Sequence, residues 1–157
     1  MEEKTTGISK KSAPTANYYL VDYTNMGQES LNGIENLSSN DKVVIFYGEN
    51  NSSIEFSFFE KIYSSKAEIK LQKVGTSLIC LLSSYLGYII GMNPDAEYCI
   101  ISDNKKFKDL KEFWAEKEIE INIYSDIAKN SVSYDIEDES AEEESECACK
   151  AAMCEEE

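Results

Sequence analysis

Five short runs rich in β-branched and aromatic residues recur along the middle of the chain, and a longer segment separates each from the next. The runs are NYYLVD (17–22), KVVIFYG (42–48), AEIKLQKV (67–74), EYCIIS (97–102) and EINIYS (120–125). Such runs predict β-strands. Apolar residues between them follow helical spacing, as in Ile54, Phe58 and Ile62. This alternation predicts an α/β three-layer sandwich with a mostly parallel five-stranded sheet.

The connecting segments differ in how strongly they predict helices. Residues 76–90 are apolar nearly all round, which predicts a central, buried helix. Residues 107–114 have an apolar stripe after a polar start and also predict a helix. The first connection, GQESLNGIENLSS, has Gly33 in its middle and is the weakest helix prediction.

The charge and composition divide the 157 residues into one domain and two flanking segments. Residues 1–16 and the acidic, Cys-containing tail 131–157 predict disorder, which leaves a domain at 17–130.

The net charge is −15, and residues 135–157 carry eleven acids against one Lys. The chain has no His, which excludes His-dependent triads and His metal ligands. So acidic a chain is not expected to bind nucleic acid strongly.

The sequence predicts a cytoplasmic protein. No window reaches the roughly 18 uncharged apolar residues of a membrane span, and the N-terminus lacks the apolar segment of a signal peptide. The three tail cysteines, Cys147, Cys149 and Cys154, fall short of a structural zinc set, and a flexible thiol-bearing tail is the simpler interpretation. No membrane association is expected.

Acids and amides follow several of the predicted strands, where ligands bind in parallel α/β sheets. The candidates are Asp22 and Asn25 after the first strand, Glu49 after the second, and Asp103 and Asn104 after the fourth. Converging carboxylates are what a Mg²⁺ or Mn²⁺ site requires. An Asp that ends a strand also commonly caps the next turn, so Asp22 has a structural interpretation beside the catalytic one.

The segments LVDYTNM, FYGENN, SSYLGYIIGMNPDAEYCIIS and FKDLKEFW resemble the PIN-like domains of bacteria, a nuclease-type fold related to the NYN and FEN-like families. The resemblance covers residues 18–124 and implies that Asp22 stands where relatives bind metal. It also implies supporting acids at three further positions, which here hold Thr24, Ile79 and Asn104. Ile79 cannot coordinate a metal ion, and Asp103 would substitute only by a shift of one residue.

These residues lead to one main hypothesis and two alternatives. The main hypothesis is a pseudo-nuclease whose metal site is lost or strongly weakened, which needs no cofactor and acts through protein contacts as a regulator, inhibitor or accessory subunit. Its partner is expected to be a protein, with the acidic tail favouring a basic one. The first alternative is a weak ribonuclease in which Asp22, Glu49 and Asp103 hold one Mg²⁺ or Mn²⁺ ion. The second is an acidic mimic of nucleic acid.

Overall fold

The computed structural model describes residues 16–51 and 54–130. The strands are β1 (Asn17–Asp22), β2 (Asp41–Tyr47), β3 (Glu68–Lys73), β4 (Glu97–Ile101) and β5 (Ile121–Tyr124). The helices are α1 (Tyr23–Met26), α2 (Phe56–Ser64), α3 (Leu78–Met92) and α4 (Phe107–Ala115), with 3₁₀ turns at Gly27–Leu31, Ile34–Asn36 and Glu49–Asn51. All five predicted strands are confirmed, each within a residue at either end.

The strands form one sheet in the order β3-β2-β1-β4-β5, and each pairing is parallel. The predicted α/β sandwich is confirmed. Chain order runs outward from β1 to β3 on one side and then resumes at β4 on the other, so β1 and β4 meet at the topological switch point. In the register, Val21 lies beside Ile101, which brings the carboxyl ends of these two strands together.

Both faces of the central strands β1, β2 and β4 are buried, which explains why these strands are apolar at nearly every position. Tyr18 and Leu20 of β1 belong to one core, which α3 and α4 cover. Tyr19 and Val21 point the other way, into a second core that includes Phe58 of α2 and the first connection. Successive side chains of a strand alternate between faces, so one short strand supplies both cores.

Helix α3 buries only one face. Leu82, Leu86 and Ile89 are buried, whereas Tyr88 and Met92 are 64% and 63% exposed. The prediction of a central, buried helix therefore holds for the inner face of α3 and was wrong for its outer face. Within the described chain, no other element packs against its outer face. An apolar helix sequence does not by itself predict whether one or both faces of the helix are covered.

The first connection is not one helix. It consists of the single-turn helix α1 and two 3₁₀ turns, with Gly33 in the left-handed region at φ +93°. The loop after β5 folds back onto it, because the Ala128 N–H donates to the Asn32 carbonyl at 2.8 Å. Gly33 interrupts the helical pattern of this connection, which explains why the helix prediction was weak. A glycine is needed here because the loop approaches too closely for a Cβ atom.

The predicted disordered segments, including the tail cysteines, lie outside the described residues apart from Ala16. Within the described ranges, no helix combines the length and apolar character needed to span a membrane.

Candidate functional site

The candidate site is centred on Asp22, the last residue of β1, which is fully buried. Helix α1 begins at the next residue, and Asp22 is its N-cap. The Asn25 backbone N–H donates to Asp22 Oδ1 at 3.2 Å. The capping interpretation of Asp22 is therefore confirmed.

Four further hydrogen bonds reach the same carboxylate. Oδ1 accepts from Thr24 Oγ1 at 2.7 Å and from Asn25 Nδ2 at 3.2 Å. Oδ2 accepts from Asn25 Nδ2 at 3.0 Å and from Ser102 Oγ at 2.8 Å. A carboxylate offers about four lone-pair positions, so these neutral donors occupy its accepting capacity.

Ser102 connects Asp22 to the end of β4. Its side chain is buried, its backbone N–H donates to the Tyr124 carbonyl at 3.1 Å, and its Oγ accepts from the Asn104 N–H at 3.1 Å. Asn104 Oδ1 in turn accepts from the Lys106 N–H at 3.0 Å. The hydroxyl of Ser102 thus donates to Asp22 while accepting from the loop that leads to α4.

The carboxyl end of β2 borders the same cluster. A Cβ atom added at Gly48 would lie 3.2 Å from Thr24 Cγ2, so Thr24 directs its methyl group toward β2 and its hydroxyl toward Asp22. The Gly48 N–H donates to Asn51 Oδ1 at 2.9 Å. Thr24, which stands where the resemblance implies an acid, acts here as a hydrogen-bond donor.

The other predicted site residues lie in different surroundings. Glu49 is in a 3₁₀ turn with its side chain 87% exposed, 3.9 Å from Lys73 Nζ. Asp103 is exposed, and Ile79 of α3 is half-buried against the core that α3 and α4 cover. Within residues 16–51 and 54–130, no three acidic or Cys side chains form a group that could hold a metal ion.

The structure therefore joins part of the predicted set. Asp22 and Asn25 are in direct contact, and Asn104 reaches them through Ser102. Sequence reasoning missed Ser102 and the donor role of Thr24. The sequence signal for Ser102 was its position, since it directly follows the apolar run that forms β4.

A family model described as PIN domain matches residues 16–124. The chain belongs to the PIN domain family. The matched span begins just before β1 and ends at the last residue of β5, so it contains the whole sheet. Comparisons with curated proteins and with solved structures gave no match.

Membership of the PIN domain family confirms the resemblance drawn from LVDYTNM and the later motifs. It places the chain in a nuclease-like superfamily, and the bacterial source stays a prediction. In this PIN domain the buried carboxylate of Asp22 lies at the carboxyl edge of the sheet, surrounded by hydroxyl and amide donors.

Proposed function

We propose that this PIN domain has lost its divalent-metal site, or keeps it strongly weakened, and acts through protein contacts as a regulator, inhibitor or accessory subunit. The proposal rests on the environment of Asp22. Five hydrogen bonds from neutral donors hold its carboxylate, and no cation is among them.

The donor set at this edge does not fit a resident Mg²⁺ or Mn²⁺ ion. These ions prefer several oxygen ligands, and in hydrolytic sites carboxylates usually converge on them. Here Asp22 would have to give up hydrogen bonds to bind an ion, and Ile79 stands where the resemblance implies a second acid. Glu49, mostly exposed beside Lys73, does not complete the set.

The charge of the chain supports a protein partner over RNA. Nucleic-acid binding depends on Lys and Arg clusters that displace counterions from phosphates. Here 15 basic residues stand against 30 acids, a net charge of −15. Long-range repulsion of a polyanion is therefore expected, whereas a basic protein surface would be attracted.

The test is incubation of the purified full chain with end-labelled single-stranded and hairpin RNA in Mg²⁺ or Mn²⁺. We expect no cleavage beyond that in buffer, and the same result for Asp22→Asn, which keeps the shape of the side chain. Circular dichroism of the variant checks its fold. Cleavage that chelation abolishes and Asp22→Asn removes would establish the ribonuclease alternative instead.

Metal binding gives a second readout that does not depend on activity. Mn²⁺ titrated into the wild-type chain and into Asp22→Asn, followed by electron paramagnetic resonance of the free ion, is expected to give superimposable curves. Ions bound by the acidic tail contribute equally to both curves. A site present only in the wild type would show that Asp22 still binds metal.

A further inference from the structure

Strand β3 lies at one end of the sheet and pairs with β2 alone among the described strands. The Val74 N–H donates to the Tyr47 carbonyl of β2 at 2.7 Å. Backbone groups of successive residues point to opposite sides of a strand, so the N–H and C=O groups of Ile69 and Leu71 point outward. The outer edge of β3 therefore offers backbone groups for another strand.

The two faces of this edge differ in chemistry. On the face toward α2 the strand presents Ile69 and Leu71, with Ala67 just before it, and Leu71 is 51% exposed. Leu71 also lines an apolar cavity of about 110 Å³ together with Ile54 and Phe58. On the opposite face, residues 66–72 present charged and polar side chains, namely Lys66, Glu68, Lys70 and Gln72.

We propose that a second copy of this chain pairs with β3 in antiparallel fashion across a two-fold axis at Ile69, joining two five-stranded sheets into one of ten strands. A two-fold interface places the same patch of both copies in contact, so the patch must complement itself. The outward backbone groups of Ile69 then bond to those of its symmetry mate.

The charges of β3 select this register. With Ile69 opposite Ile69, Glu68 of each copy lies opposite Lys70 of the other, which gives two opposite-charge pairs. These are non-hydrogen-bonded positions, where facing side chains come closest. On the apolar face, Ala67 lies opposite Leu71 twice.

Neighbouring registers are less favourable. Centring the pair on Lys70 or on Glu68 sets like charges directly opposite each other, which is destabilising. Centring it on Leu71 leaves Lys70 opposite Gln72 and sets Lys73 opposite Ile69, without an ion pair. Centring it on Ala67 would set Lys66 opposite Glu68, but Ala67 precedes β3 and its N–H already donates to Ser65 Oγ at 3.2 Å. The register centred on Ile69 is therefore preferred.

Around β3 the local charge is positive although the whole chain is acidic, so two copies can approach each other at this edge. Residues 65–73 hold three Lys and one Glu in a chain of net charge −15. Within one copy, Glu68 lies 3.3 Å from Lys70 Nζ and 3.8 Å from Lys42 Nζ, and the three side chains are between 40% and 62% exposed. Such exposed pairs contribute little, so Glu68 and Lys70 remain available for a partner.

Sedimentation velocity of the full chain over a range of concentrations tests the proposal. We expect a reversible dimer, against 17.7 kDa for one chain. Glu68→Lys and Lys70→Glu should each weaken the dimer about tenfold, because each sets like charges opposite each other twice. The double swap Glu68→Lys/Lys70→Glu restores opposite pairs and should restore the affinity.

Matched controls come from α4, where Glu112→Lys and Lys111→Glu make the same charge changes at exposed positions. Both should leave the dimer unchanged. Amide hydrogen exchange supplies a residue-specific readout, since the N–H groups of Ile69 and Leu71 should become protected as concentration rises.

Two results would overturn the proposal. One is a wild-type chain that stays monomeric at all concentrations, and the other is a double swap that dimerises as weakly as the single variants. The outcome is independent of the RNA and Mn²⁺ experiments, because β3 contributes no donor to Asp22.

Discussion

Replacing Asp22 with Ala is expected to lower the free energy of unfolding by about 3 kcal/mol. Asp22 is fully buried and accepts five hydrogen bonds, so truncation leaves the Ser102 hydroxyl and the Asn25 amide without their acceptor. It also removes the N-cap of α1, and such a loss alone costs about 1 kcal/mol. Urea unfolding followed by circular dichroism measures the change.

Two further variants make this result specific. Asp22→Asn keeps one acceptor and the side-chain shape, so its loss of stability should be smaller than that of Asp22→Ala. Asp109→Ala removes an exposed acid from the first turn of α4 and should be close to neutral. An Asp22→Ala chain more stable than the wild type would contradict our account, because relief of repulsion is typical of clustered carboxylates.

Replacing Gly33 with Ala is expected to cost about 2–4 kcal/mol. Gly33 has φ +93°, and a Cβ atom there would lie 2.8 Å from the Ala128 nitrogen and 2.9 Å from its Cα. Relieving this contact requires the loop after β5 to move away, which breaks the 2.8 Å hydrogen bond from the Ala128 N–H to the Asn32 carbonyl. The same urea titration measures the loss.

Gly91 provides the matched control for the same chemical change. It lies in α3, where a Cβ atom would meet nothing within 4 Å. Gly91→Ala should raise stability by about 0.5–1 kcal/mol, since Ala forms helix more readily than Gly. If Gly33→Ala unfolded at the same urea concentration as Gly91→Ala, the close packing of the two loops would be refuted.

Much of the fold could be predicted because its strands are unusually distinct. The central strands β1, β2 and β4 are compact runs of β-branched or aromatic residues, buried on both faces, and such runs differ sharply from the connections. The sequence was less informative about α3, since its apolar outer residues Tyr88 and Met92 face solvent. The composition of a helix does not predict whether another element of the fold packs against each of its faces.

The sequence predicted that some candidate side chains would lie together, but not how they would bond. Asp22, Asn25 and Asn104 end or follow parallel strands whose carboxyl ends meet at one edge, and hydrogen bonds connect them there. Glu49 was harder, since the 3₁₀ turn it begins decides where its side chain points. Ser102 carries no signal beyond its place after β4, and its hydrogen bond to Asp22 depends on strand order.

The five hydrogen bonds at Asp22 have a consequence for how activity is assigned in the PIN domain family. Asp22 connects the ends of β1 and β4 through its hydrogen bond from Ser102, and it caps α1. A residue in this position is needed for folding whether or not it binds an ion. Losing catalysis would not free such a position to change. In this chain folding alone accounts for an aspartate at the end of the first strand, so its presence is not by itself proof of a nuclease.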